Sequence, residues 1–262
     1  MCGFCIFENM KKVSAISLLL LFISFCAFAQ DMSAESQNAV KKFIGYVKAG
    51  NKEGLAGITT YPIKREYPIP AINNKKEFIS RYKELFSDSL VKVITKSSPA
   101  TDWSEMGWRG IMLLDGAIWL DQDGNLIGVN TQSPFERKEK AALIAEEKKH
   151  LHESLRNFLQ PTCIIETSKY RIRIDEISSG KYRYASWPLK NKMSDKPDLV
   201  VENGEIVADG SGGNYHFQFK KDGYQYVCDI VEMGEDDAPP ADLIVYKGEK
   251  EILYQKANKL IN

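Results

Sequence analysis

The chain is short of histidine. It has three, His150, His152 and His216, and none lies in its first half. That excludes a histidine general base there. His150 and His152 stand two apart, on opposite sides of any helix, and do not share a metal ion. The chain also lacks net charge, with 35 basic and 35 acidic residues. Without residues 1–30 the balance is 33 to 34. This removes the electrostatic case for nucleic acid or for an anionic membrane. Apolar runs are scarce too, because nothing after residue 29 is long enough to span a bilayer. Cysteine is sparse: Cys2, Cys5 and Cys26 fall in the first 30 residues, leaving Cys163 and Cys228.

The first 30 residues carry a targeting pattern. Lys11 and Lys12 follow Met10, Val13 to Ala29 is apolar apart from three serines, and Ala27-Phe28-Ala29 has small residues at the cleavage positions. The expectation is a signal peptide cut after Ala29, a periplasmic or secreted product, and residues 1–9 as an upstream extension. Phe25 before Cys26 argues against a lipoprotein. An even cysteine pair in an exported chain then favours a Cys163–Cys228 disulfide, with two separate buried thiols as the alternative.

The rest divides into residues 31–133, a charged helical stretch 134–159 and a strand-rich segment 160–262. A helix is expected from Ser33, with Val40, Phe43, Ile44 and Val47 on one face and Gly50 at its end. Asn51 and Asn74 are capping residues for two further helices, the second carrying Phe78, Tyr82, Leu85 and Phe86. Tyr61 to Ile69 holds two prolines, with Pro70 just beyond, and is read as an extended segment. Four strands follow, at Leu90–Ile94, Arg109–Leu114, Ala117–Leu120 and Leu126–Asn130, with Asp115-Gly116 as a hairpin turn. Helices and then an antiparallel meander make an α+β order. In 160–262, turn pairs such as Ser179-Gly180, Asn203-Gly204, Asp222-Gly223 and Lys247-Gly248 punctuate short strands. That spacing fits a small all-β meander barrel or sandwich.

Three motifs invite chemistry and fail it. Asp121-x-Asp123-Gly124-Asn125 has its glycine in the wrong place for a calcium loop and is a hairpin turn. Gly210-Ser211-Gly212-Gly213 lacks the lysine and helix of a phosphate loop. Arg171, Arg173 and Arg183 beside Tyr182 and Tyr184 are expected to be a solvated strand face with cross-strand ion pairs. No catalytic pair, metal set or cofactor motif is read from the spacing.

The stretch from Met106 to Trp119 (MGWRGIMLLDGAIW), with the helices before it, resembles NTF2-like (cystatin-like) domains. The resemblance covers 31–133 and implies a sheet wrapped on a helix around a conical pocket. The phrases at 170–175, 182–187, 196–199 and 210–214 resemble a C-terminal module of uncharacterised exported bacterial proteins. The expected function is a non-enzymatic ligand-binding or protein-interaction protein of the bacterial envelope. Tyr61, Arg65, Tyr82, Trp108 and Trp119 are its candidate ligand contacts, and an envelope protein or small ligand its partner. The alternatives are an enzyme using the NTF2-like pocket and an inhibitor of an envelope hydrolase such as lysozyme.

Overall fold

The computed structural model describes residues 32–210, 212–235 and 237–262. The expected signal peptide, with Cys2, Cys5 and Cys26, lies outside them. No helix among the described residues is long and apolar enough to cross a membrane.

The first unit begins with α1 (Ala34–Lys48) and α2 (Lys52–Gly57). It continues with α3 (Lys75–Ser80), α4 (Tyr82–Leu85) and α5 (Asp88–Lys96). Side-chain caps start most of these helices. Ser33, Asn51, Asn74 and Ser87 accept hydrogen bonds from Ser36, Gly54, Glu77 and Leu90 N–H groups that have no partner within the helix. Gly50 ends α1 at φ +62°.

Four short strands follow: β1 (Trp103–Glu105), β2 (Ile111–Leu113), β3 (Ile118–Leu120) and β4 (Leu126–Val129). They form an antiparallel sheet in sequence order. Gly110 has φ +98°, and a Cβ there would stand 2.1 Å from the Leu120 carbonyl oxygen, so only glycine lets β2 and β3 approach. Asp121 to Asn125 is a turn, closed by the Asp121 carboxylate accepting from Asn125 N–H at 2.8 Å. Phe43, Phe78, Ile94, Leu113 and Leu120 occupy the space between helices and sheet, and none is exposed.

One element departs from the sequence reading. Leu90–Ile94, expected as a strand, lies inside α5. Its β-branched residues favour a strand, but Ser87 caps the segment, and Leu90 and Ile94 are four apart, so both are buried in the same core. Tertiary burial overrides the local preference.

A charged helix, α6 (Pro134–Lys149), joins the units through a capping box at Ser133 and Glu136. The second unit is β5 (Gln160–Thr167), β6 (Tyr170–Ser178), β7 (Lys181–Pro188), β8 (Leu199–Ala208), β9 (Tyr215–Lys221), β10 (Tyr224–Ile230), β11 (Ala241–Lys247) and β12 (Lys250–Ile261). Each pairs antiparallel with the next, and β12 closes on β5 with Ile261 opposite Ile164. The result is an eight-stranded barrel. Its interior holds Ile165, Ile172, Ile174, Phe217 and Phe219.

Two expectations about this unit are corrected. Cys163 and Cys228 are free, buried thiols and form no disulfide. They sit on β5 and β10, which are three strand spacings apart round the wall, whereas a disulfide needs its Cα atoms within about 7 Å. Burial pushes both thiols up. On the arginine face Arg171 stays partly exposed and makes the expected cross-strand ion pair, with Glu166 at 2.8 Å, but the rest of the face is not solvated. Leu151, Leu155 and Phe158 cover the outside of β6 and β7, packing on Ala185 and Trp187. Arg173 and Arg183 are buried there, and each donates to Asp175 at 2.8 Å. Arg173 also reaches Glu147 of α6 at 3.0 Å, and Glu147 accepts from the Tyr67 hydroxyl. Burial pushes the Asp175 carboxyl up, while the guanidiniums of Arg173 and Arg183 pull it back.

Candidate functional site

The best-defined concavity is one mouth of the barrel. Strand alternation builds it, because residues of one phase all point inward. On β6 that phase is Tyr170, Ile172 and Ile174; on β7 it is Tyr182, Tyr184 and Ser186; on β10 it is Tyr224, Tyr226 and Cys228. Deep in the barrel these positions are aliphatic or aromatic and fill it. Towards the mouth, Tyr170, Tyr184, Tyr224 and Tyr226 with Leu243 and Leu253 leave a cavity of about 290 Å³. The mouth is aromatic and apolar, with Ser186 and Asp198 as its polar groups.

The tyrosines form a layer. Tyr184 lies 5.5 Å from the Tyr226 ring and 5.6 Å from Phe219. Burial pushes the Tyr184 hydroxyl well up, so it stays neutral. Burial also raises Tyr226, helped by Tyr224 and Asp222. The rim is tied down. Asp198 N–H donates to the Ser186 carbonyl at 2.9 Å, and Trp187 Nε1 donates to the Asp195 carbonyl at 2.9 Å. These bonds hold the β7–β8 connection against the wall. Beside the mouth, Lys220, Lys221 and Tyr224 border a second hollow of about 330 Å³. Lys247 Nζ stands 5.4 Å from the Tyr224 ring centre, a cation–π contact at the rim.

The sequence-predicted contacts do not converge. Trp108 and Trp119 come together with Arg109, Asn130 and Met233 around an open groove of about 360 Å³, between the first sheet and the loops before β9 and β11. Trp119 lies opposite Gly128, and Trp108 is 63% exposed. The other three are elsewhere. Tyr61 donates to the Ala56 carbonyl at 3.1 Å. Tyr82 stacks on Phe86 with ring centres 4.9 Å apart. Arg65 is buried and grips Glu136 of α6 through two 2.6 Å hydrogen bonds, with further bonds to the Val129 and Thr131 carbonyls. It ties α6 to the first unit.

Sequence reasoning missed the mouth tyrosines. A signal was present: Tyr224 and Tyr226 repeat at period two, as do Tyr182 and Tyr184, of which Tyr184 lines the mouth. The barrel closure that brings the pairs together was not legible. Compared with known protein families, curated proteins and solved structures, the chain matches none.

Proposed function

We propose that the chain is a non-enzymatic binding protein of the bacterial cell envelope. In this reading the barrel mouth takes a small, largely apolar ligand with an anionic end. The observation that carries the reading is the tyrosine-lined cavity of about 290 Å³ in an otherwise filled barrel. Engineered cavities of about 150 Å³ hold benzene, and drug-sized pockets begin near 300 Å³. The ligand is therefore one or two rings, or a short acyl chain. Lys221 and Lys247 stand at the rim in the inward phase and supply the positive charge. The leader-like run at residues 10–29 supports the envelope address. The order of helices and then a four-stranded meander supports an NTF2-like first unit, acting here as a scaffold.

The test uses anilinonaphthalene sulfonate, a largely apolar probe with two ring systems, a naphthalene and a phenyl, and one negative charge. Wild type is expected to bind it at one site with enhanced fluorescence. Leu199→Trp, which fills the mouth, is expected to abolish that binding without lowering Tm. Lys247→Gln is expected to weaken it. Unchanged binding to a folded Leu199→Trp variant would sink the proposal.

A further inference from the structure

Away from the mouth, three strands bring a metal-ligand set together on the outer wall of the barrel. His216 is the second residue of β9, and across the ladders it faces Val207 on β8 and Asp229 on β10. Asp209 lies two residues past Val207, on the same face. Asp229 in turn faces Asp242 on β11. Asp209, His216 and Asp229 each offer one atom, all within 4.8 Å of one another. His216 Nδ1 lies 2.9 and 3.0 Å from the two Asp209 carboxylate oxygens. Zinc bonds nitrogen and oxygen at about 2.0–2.2 Å, so tetrahedral geometry puts neighbouring donors roughly 3.3 Å apart. The His216–Asp209 spacing is close to that value, and the Asp229 donor lies within 4.8 Å of both.

The electrostatics point the same way. Among the described residues, no lysine or arginine forms a salt bridge with Asp209, Asp229 or Asp242. One oxygen of Asp242, next in the row, is shielded from solvent and has no hydrogen-bond partner. Asp209 and Asp229 flank one imidazole, and the lysine that continues the row, Lys256 opposite Asp242 on β12, forms no salt bridge with them.

We propose that Asp209, His216 and Asp229 bind a zinc-type divalent cation, with a fourth position left to water. An imidazole donor and two carboxylates suit a borderline transition metal, whereas calcium takes six to eight oxygens. The ion would neutralise the row and pin the turn from Asp209 to Asn214. That turn contributes Gly212 and Gly213 to the tryptophan groove. Asn214 already holds the far side of the turn by accepting from Glu232 and Met233 N–H groups at 2.9 and 2.8 Å.

The experiment is calorimetric titration of the full chain, stripped by chelator, with zinc chloride and with calcium chloride. One zinc per chain is expected, with a rise in Tm, and no response to calcium. Removing even an outer-shell partner of a metal ligand costs about 10–100-fold in affinity. His216→Ala and Asp229→Asn should therefore each weaken zinc at least 100-fold with an unchanged circular dichroism spectrum. The double variant His150→Ala/His152→Ala should keep wild-type binding. If His216→Ala does not fold, His216→Gln carries the same expectation. Zinc binding that survives these changes, or is lost with His150 and His152 instead, overturns the proposal. So does the absence of any zinc heat.

Discussion

The two units solve the problem of burying a sheet in opposite ways. The first has strands of three or four residues, too short to stand alone, and borrows stability from five helices packed on one face. Its interior is filled by large side chains from both layers. The barrel has strands of seven to twelve residues and no free sheet edge. It needs help only on β6 and β7, where the end of the connecting segment covers Trp187. A core that depends on two layers meeting has to be full, whereas a closed ring stands with one mouth unfilled. Binding is therefore expected in the barrel, and scaffolding in the first unit.

The sharpest way to break this comparison is to empty the first core. Phe43 is fully buried and packs edge-on to Trp103 at 5.9 Å. Phe43→Ala is expected to cost about 3–5 kcal/mol. Urea unfolding followed by tryptophan fluorescence and by far-ultraviolet circular dichroism should then show the first unit melting while the barrel persists. A single coincident transition would mean that the units are one cooperative body. Next comes the buried charge cluster. Arg173→Ala leaves Asp175 with Arg183 as its remaining ion-pair partner and is expected to cost about 3 kcal/mol. Arg173→Met should cost less, because it keeps the stem packed. Equal losses would place the effect in charge rather than in packing.

Smaller effects test the joints. Ser133→Ala removes one half of the capping box on α6 and should cost about 1 kcal/mol in urea titrations. No change would mean that the Arg65–Glu136 pair alone positions the helix start. The smallest expected effect is at Glu105. Its carboxyl is held below the usual range by hydrogen bonds from Ser36 and Ser33, at the start of α1. Because its folded-state pKa lies below the unfolded one, its stabilisation is present above the unfolded value and is lost as pH falls through the folded one. Glu105→Gln should be less stable than wild type at neutral pH and equal to it in acid. A gap that persists in acid would assign the effect to shape instead.

Much of the fold was legible in short-range chemistry. Asn51, Asn74 and Gly50 act where capping rules place them, and Ser179-Gly180, Asp222-Gly223 and Lys247-Gly248 do separate strands, whereas Asn203-Gly204 lies inside β8 at an irregularity of its pairing with β7, with Asn203 at φ +61°. What was not legible depends on which strands become neighbours. The thiols of Cys163 and Cys228 both face the barrel interior, but from walls too far apart to bond. The arginines on β6 and β7 alternate as a wet face should, and only the return of the chain over them buries Arg173 and Arg183. Asp209, His216 and Asp229 have no recognisable spacing in sequence, because two hairpin registers set their proximity. The tyrosine mouth was hidden for the same reason. Trp108 and Trp119 were found from residue type alone, and they share a groove; Tyr61 and Tyr82, chosen in the same way, both pack on Phe78 in the first core, and Arg65 is paired with Glu136.

The seam between β12 and β5 has a kinetic consequence. Ile164 and Ile261 face each other across it, with nearly the whole barrel sequence between them. Every other pairing in the ring joins consecutive strands, so hairpins can zip locally and early. The seam is a long-range contact, made when the rest of the ring is in place, and such contacts slow folding. Until then β5 and β12 present unpaired edges to any other chain. Conditions that trap this protein on its way to the native state should therefore give dimers exchanged at that seam, and the finished ring should be inert to such exchange.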